Sequence, residues 1–254
     1  QHLVCDCGTN GQRGNGGHAH NDTLSFELFS NGHLFVTDPG CYSYTGNLAS
    51  YNWFRSTAAH NTLQIDEEEQ ASFGAQEPFL LGAQAVPVVN RWKSTKDYDF
   101  LDAEHCGYRR LSDPATHRRQ ILFDKTRRVW LVRDMVIGNG THKLDWYFHF
   151  APMKVGTDRN QPLVVRASPS SDAELLLLPL KNPGLNLTLE TAWVSFQYGH
   201  REPARVARYA LACAELPVVL TFALVPTYGG MSVIDLVQRI QQSLRVLERT
   251  LEAR

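Results

Sequence analysis

Short apolar runs alternate with polar and turn residues along most of the chain, and within many runs the period is two. Leu144, Trp146, Phe148 and Phe150 alternate with Asp145, Tyr147 and His149, the mark of a strand with one buried face. Residues 24–29 and 33–38 form two runs around Asn31-Gly32, a dipeptide suited to a two-residue hairpin turn because both positions accept positive φ. Ile121-Leu122-Phe123 and Val129-Trp130-Leu131 flank Asp124-Lys125-Thr126-Arg127-Arg128, which reads as a second hairpin loop. Further strands are expected at 63–66, 79–81, 85–89, 120–123, 129–137 and 144–150. A second series follows at 163–166, 174–178, 185–190, 193–198, 206–212 and 218–225. Many short strands punctuated by turns predict an all-β fold, an antiparallel β-sandwich.

Gly229-Gly230 closes the β region, and the period then changes. Val233, Val237, Ile240, Leu244, Leu247 and Leu251 recur at steps of three and four, one stripe of a C-terminal amphipathic helix that docks on its own or a partner domain. Residues 151–162, with prolines at both ends and charged residues between, form the expected seam. The chain therefore divides into a β-sandwich portion over 1–151, a second β portion over 152–230 that continues or packs on the first, and a helix over 231–254. Residues 1–17 read as a glycine-rich leading loop.

Composition narrows the function classes. A chain of 254 residues, 43% of them hydrophobic, can bury a real core. Its formal net charge of -1 gives no pull toward nucleic acid or an acidic membrane. No apolar run approaches the length of a membrane span, and no signal peptide is visible at the start. Five cysteines, an odd number without repeated spacing, argue against a disulfide framework. The compartment stays open between a bacterial periplasm and cytoplasm, and oligomerisation is open too.

Candidate chemistry concentrates between residues 17 and 62. Gly17-His18-Ala19-His20-Asn21-Asp22, then Asp38-Pro39-Gly40, then Ala59-His60-Asn61-Thr62 bring histidines and a carboxylate into punctuated loops. His20, Asp38 and His60 supply two imidazoles and a carboxylate, the ligand set of many zinc sites. Geometry imposes a condition. If Asn31-Gly32 is the turn, Ser30 faces His33 and Asp38 faces Ser25, so His20 lies roughly 16 Å beyond along a straight strand. A shared zinc ion requires residues 17–23 to double back, a path that Gly14, Gly16 and Gly17 permit. Residues 41–56 form a long loop with Tyr42, Tyr44, Tyr51, Trp53 and Arg55; aromatic rings with one arginine suit sugar faces and a carboxylate. Glu67-Glu68-Glu69 reads as a solvated turn. The basic residues Arg109, Arg110, His117, Arg118, Arg119, Arg127 and Arg128 form either an attractant for a polyanion or a solvated face.

These residues carry a resemblance. Gly-His-Ala-His-Asn-Asp-x-Leu-Ser-Phe from Gly17, Asp-Pro-Gly-x-Tyr-x-Tyr from Asp38, and Phe-Arg-Ser-Thr-Ala-Ala-His-Asn-Thr from Phe54 resemble the heparinase II/III-like polysaccharide lyases. Later pieces are similar too: His117-Arg118-Arg119, Val132-Arg133-Asp134, Phe148-His149-Phe150-Ala151-Pro152, and Trp193-Val194-Ser195 with Tyr198-Gly199. The likeness runs from about Gly14 to about Pro226.

The resemblance implies a supersandwich-like fold and β-elimination on a uronic-acid-containing polysaccharide. It implies one zinc, structural or site-organising, on His20, Asp38 and His60. His18 would sit beside the uronate as carboxylate neutraliser or proton carrier, with Tyr51 as a second catalytic group. Tyr44, Arg55 and Asn61 would bind the acidic polysaccharide. Family lyases carry an α/α toroid before the sandwich that supplies further catalytic groups. No helical domain precedes the first motif here, so the chain is expected to be the zinc-bearing β part and inactive alone. The rival reading is a non-catalytic, metal-stabilised polysaccharide-binding module. A cupin-like site, which would place a glutamate a few residues after the histidine pair, fits poorly because Glu27 is seven beyond His20.

Overall fold

The computed structural model describes residues 1–11, 16–180, 184–228 and 232–253. Gly14 and the expected closing pair Gly229-Gly230, with the 230/231 boundary, lie outside the described residues. Fifteen strands and two helices are formed among the described residues. Strands β1 (His2–Cys5), β2 (Phe26–Ser30) and β3 (His33–Val36) make a small antiparallel sheet. Strands β4 (Leu63–Ile65), β9 (Thr141–His149), β13 (Asn186–Gln197) and β14 (His200–Glu215) make a second, in the order β13-β14-β9-β4. The eight-stranded sheet contains β5 (Pro87–Ser94), β6 (Tyr98–His105), β7 (Ala115–Asp124), β8 (Val129–Gly138), β10 (Lys154–Thr157), β11 (Val165–Ser168), β12 (Ala173–Leu180) and β15 (Val218–Tyr228). Its order is β10-β11-β12-β15-β8-β7-β6-β5. Helix α1 (Leu48–Phe54) lies in the loop after β3, and helix α2 (Val233–Glu252) follows β15.

The alternation seen in the sequence is what builds the layers. Inward residues of the eight-stranded sheet, among them Trp130, Val132, Leu175, Leu177, Phe222 and Leu224, share one core with Phe26, Trp146, Phe148 and Tyr209 from the other sheets. Phe148 and Phe222 meet edge to face at 4.8 Å, a geometry that matches the positive ring edge to the negative face. The opposite face of the large sheet, with Phe100, Leu122, Leu131, Leu176 and Ala223, is covered by Ile240 and Leu247 of α2. The small sheet joins the four-stranded one through an antiparallel bridge between Val36 and Phe150.

Several expected elements differ in detail. The leading loop contains β1, whose Leu3 and Cys5 turn inward while His2 and Val4 face solvent, too short a signal among glycines to stand out. The hairpin turns at Asn31-Gly32 and pairs Ser30 with His33, but a bulge then pairs Leu28 with Val36, so Asp38 does not face Ser25. Residues 79–81 form no strand; β6 and β10 were not foreseen; and 185–190 with 193–198 are one strand, β13. The helix docks through Leu236, Ile240, Leu244 and Leu247, whereas Val233 and Val237 at its start are exposed. Among the described residues no helix is long and apolar enough to cross a membrane.

Candidate metal centre and its aromatic rim

The doubling back that a shared ion requires is made by residues with positive φ. Gly16 (φ 73), His18 (φ 61) and Leu24 (φ 63) occupy the left-handed region. Backbone bonds from Ala19 to the Gly16 carbonyl at 3.2 Å and from Ser25 to the Asp22 carbonyl at 2.8 Å close the turns. A side chain at Gly16 would place its Cβ 2.3 Å from the Leu81 carbonyl oxygen, so close approach as well as φ demands glycine there. Asn21 fixes the returned loop. Its N–H donates to the Arg55 carbonyl at 2.9 Å, and its side-chain amide exchanges two bonds with the Ala71 backbone. Glu69, expected in a solvated turn, accepts from the Thr57 N–H, the Thr57 hydroxyl and Asn21 Nδ2.

These restraints bring the expected ligands together. His20 Nδ1 faces His60 Nε2 at 3.2 Å, and Asp38 Oδ2 lies 3.5 Å from the same His60 nitrogen. His60 Nδ1–H donates to the Ser56 carbonyl at 2.7 Å, so it is Nε2 that His60 turns to the cluster, the orientation that a metal ligand needs. Burial, helped by neighbouring His60, pushes His20 down to about 4, which leaves it neutral at physiological pH. Asp38 Oδ1 accepts the Gly40 N–H at 2.8 Å and leaves Oδ2 for the cluster. Glu27, outside the cluster, accepts the Asp38 N–H at 2.8 Å.

Among the described residues, His20, Asp22 and His60 are the three whose ligand atoms all converge, and the His20–His60 and His60–Asp38 separations suit zinc. Tetrahedral coordination with bonds of about 2.0–2.1 Å separates neighbouring ligand atoms by about 3.3–3.4 Å, close to the 3.2 and 3.5 Å seen between these groups. Asp22 was not foreseen. Its carboxylate, His20 and His60 each offer a ligand atom, and these atoms all lie within 4.8 Å of one another. Burial raises Asp22 to about 7. The Asp at the end of the His-x-His-x-Asp spacing was the available signal. His149, close by, donates Nε2–H to the Ala58 carbonyl at 2.9 Å; burial lowers it to about 3, and it braces the 57–60 turn as a neutral imidazole.

His18 stands apart from the ligands, exposed on the rim. Its ring lies 5.0 Å from Phe79 and 5.4 Å from Tyr44, and Tyr44 in turn stacks on Tyr198 at 5.7 Å. Phe79 and Tyr198 are 43% and 61% exposed, so this rim offers aromatic faces to solvent beside an imidazole. Tyr51 lies beneath it, fully buried, 5.5 Å from Tyr44 and 6.5 Å from His20. The Tyr51 hydroxyl has no hydrogen-bond partner among the described residues. Burial makes both Tyr44 and Tyr51 weaker acids than an ordinary tyrosine, so both remain phenols at neutral pH.

Two expected sugar contacts are turned inward instead. Arg55 is 1% exposed, and its guanidinium donates to Asn52 Oδ1 and to the carbonyls of Gly74, Pro78 and Leu80. It clamps the 73–81 loop, with the Phe73 ring centroid 4.0 Å away. Asn61 is fully buried; its Nδ2 donates to the Phe26 and Thr37 carbonyls, and its Oδ1 accepts the His149 N–H. Neither has a donor left for a ligand. Helix α1 explains the misreading: expected as loop, it is capped by Asn47, which accepts the Ser50 N–H, and it aims Arg55 inward.

Of the basic set, His117 and Arg119 are internal, Arg118 and Arg127 are half-buried, and Arg109, Arg110 and Arg128 are exposed. Arg119 donates to both oxygens of Asp134 at 2.7 and 2.8 Å and to the carbonyls of Leu24 and Asn61. Arg118 is paired with Asp102 and Arg127 with Asp124. A cavity of about 640 Å³ between β1 and β5–β8, lined by Leu3, Cys5, Trp92, Phe123 and Trp130, is apolar and shares no residue with the metal cluster.

Fold and site together are an antiparallel β-sandwich with a candidate metal centre beneath an aromatic rim. The sequence matches the family described as heparinase II/III-like, C-terminal, over residues 1–236. The chain belongs to that family. It is 31% identical over 130 residues to a heparin-sulfate lyase of Pedobacter heparinus, covering 50% of this chain and 17% of the relative. It is 22% identical over 188 residues to a heparin-sulfate lyase of Bacteroides stercoris, covering 72% of this chain and 25% of that protein. The fold superposes on the crystal structure of the heparan sulfate lyase from Pedobacter heparinus with a TM-score of 0.73 and 21% identity, over 91% of this chain and 33% of that one. The chain thus spans a quarter or less of the curated relatives' length.

Proposed function

We propose that this chain is the zinc-bearing β-sandwich of a polysaccharide lyase that cleaves a uronic-acid-containing polysaccharide by β-elimination. The observation that carries the reading is the convergence of the His20 and His60 nitrogens at 3.2 Å, with Asp38 alongside, under a rim where exposed His18 meets half-buried Tyr44 edge to face. His20, His60 and Asp38 would hold the ion, with Asp22 the nearest further carboxylate. When bound, zinc would neutralise the neighbouring carboxylates and lock the loops that carry His18.

The chemistry asked of the rim is specific. The C5–H bond breaks, the C4–O bond breaks, a C4=C5 double bond forms, and the expelled oxygen takes up a proton. His18 is placed to hydrogen-bond the uronate carboxylate and stabilise the charge that develops on it as the C5 proton leaves. Tyr44 is the phenol that a sugar on the rim reaches; it can donate a proton to the leaving oxygen. Tyr51, buried under Tyr44, supports that ring from below. The base for the C5 proton would come from the α/α toroid typical of this family, so the present chain alone would not turn over substrate. Because the relatives are heparin-sulfate lyases, heparan-type polysaccharides head the list of candidate substrates.

Elemental analysis of the purified chain, beside a His20→Ala, His60→Ala double variant, tests the metal. About one zinc per wild-type chain and none in the variant is expected; a metal-free wild type after chelator-free purification overturns the site. The full-length protein should release unsaturated uronate products from a uronate polysaccharide panel. Binding without any unsaturated product would favour the non-catalytic module.

A further inference from the structure

Arg201 is held differently from the arginines that pair with carboxylates. Arg118, Arg119, Arg127, Arg166 and Arg208 each grip a carboxylate. Arg201 is exposed, and among the described residues it has no carboxylate partner; its polar contact is the Ser50 hydroxyl at 3.5 Å. Its guanidinium lies instead over two aromatic rings, 4.8 Å from the centroid of Tyr42 and 4.4 Å from that of Trp193. Two rings fix the plane of the cation without consuming its hydrogen-bond donors.

This fixed cation lines a shallow pocket of about 200 Å³ together with Ser50, Trp53, Thr191, Ala192 and Trp193. Two tryptophans, two hydroxyls and one arginine form a complete set for one sugar ring that bears an anionic group. Indole faces accept the apolar C–H face of a pyranose, hydroxyls exchange bonds with ring hydroxyls, and the guanidinium fork matches a carboxylate or sulfate.

The pocket is also continuous with the rim of the metal centre. Ser50 precedes Tyr51 on α1. The β13–β14 hairpin carries Trp193 and Arg201 on this pocket, and Tyr198 of the same hairpin stacks on Tyr44. That hairpin is tied to the 38–42 segment at three points: Ser195 N–H to the Pro39 carbonyl and Gly199 N–H to the Tyr42 carbonyl, each at 2.8 Å, and a bridge between Gly40 and Ser195. A side chain at Gly40 would put its Cβ 2.1 Å from the Ser195 carbonyl oxygen, so the contact leaves no slack.

Resting on the polysaccharide reading above, we infer that Ser50, Trp53, Thr191, Trp193 and Arg201 form an outer subsite for an acidic sugar unit of the same chain whose uronate lies at His18. The pocket grips one charged unit beyond the cleft and thereby sets the direction of the polymer across the rim.

Affinity electrophoresis of this chain through gels containing heparan sulfate, alginate or neutral dextran tests the inference without any need for turnover. The wild type should be retarded by an acidic polymer and not by dextran. Arg201→Ala and Trp193→Ala should each weaken the retardation at least fivefold, with unchanged circular dichroism and zinc content. Arg201→Lys should recover only part of it, since an ammonium lacks the planar fork. Unchanged retardation in both alanine variants, absence of retardation in the wild type, or equal retardation by dextran overturns the subsite. The lyase reading fails separately, by the absence of unsaturated products from the full-length protein.

Discussion

Two clusters in this molecule are built from histidine and aspartate, and they end in opposite states. In the core, the Gly107 N–H donates to His105 Nδ1, His105 Nε2–H to His117 Nδ1, and His117 Nε2–H to Asp134. Arg119 completes the set with two bonds to Asp134. Each of these ring nitrogens has a partner, and all four side chains are 1% exposed or less. In the loops, His20 Nδ1 and His60 Nε2 point at each other with Asp38 beside them, and no chain of donors runs through the group. Residue type does not separate structure from function here; completion does. A closed set of hydrogen bonds holds backbone in place, and an open set of converging donors is what a cation would complete.

The closed cluster serves the open one. Arg119 donates to the carbonyls of Leu24 and Asn61, the residues that flank the two histidine loops. Arg119→Ala would therefore produce the largest loss. It strands Asp134 as an uncompensated buried charge, and breaking such a pair costs about 3–5 kcal/mol. Urea unfolding should show that loss, with weakened zinc retention as the Leu24 and Asn61 carbonyls are released. A variant within about 1 kcal/mol of the wild type would mean that the relay does not carry the loops.

Acid separates the two clusters by a smaller step. His105, His117 and His149 are buried, and burial holds all three below the ordinary histidine range. Their folded pKa lies below the unfolded value, so the unfolded chain binds more protons as pH falls through about 6.5. Stability should fall between pH 7.5 and 5.5, by about 1.4 kcal/mol for His149, whose burial lowers it to about 3, and further for His105 and His117 in the same direction. Asp134, held well below the usual carboxylate range mainly by Arg119 against its burial, contributes fully throughout that window and is lost only below the unfolded aspartate value near 4. Urea midpoints that stay level from pH 7.5 to 5.5 would show that these imidazoles are already charged in the folded protein.

Much of the open cluster was legible in the chain. His20, His60 and Asp38 sit beside glycine and proline punctuation, and the need for residues 17–23 to double back follows from strand length alone. The β alternation gave the sandwich because side-chain period is a local property. What local pattern could not show is which way a polar side chain turns. Arg55 and Asn61 look like surface chemistry until α1 and the buried backbone carbonyls of Gly74, Leu80, Phe26 and Thr37 are in place. Glu69 looks like a solvated acid for the same reason. Asp22 was visible as a residue, but its approach to both histidines depends on the left-handed turns at His18 and Leu24, which favour no residue type strongly enough to be read.

The smallest expected change in stability tests the comparison most finely. His18 belongs to neither cluster: it is exposed, contacts Tyr44 and Phe79 through its ring, and lies two residues from the candidate ligand His20. If completion of contacts marks structure, removing a side chain with few of them should barely disturb folding. His18→Ala is expected to shift stability by no more than about 0.5 kcal/mol and to leave zinc content unchanged. In the full-length protein the same variant should lower kcat on a uronate polysaccharide by roughly 10²–10⁴-fold, the usual contribution of a positioned proton-transfer group. Zinc lost along with activity would place His18 among the supports of the metal loop. Activity retained with zinc in place would move the carboxylate contact to another group on the rim, and Tyr44→Phe would be the next variant to measure.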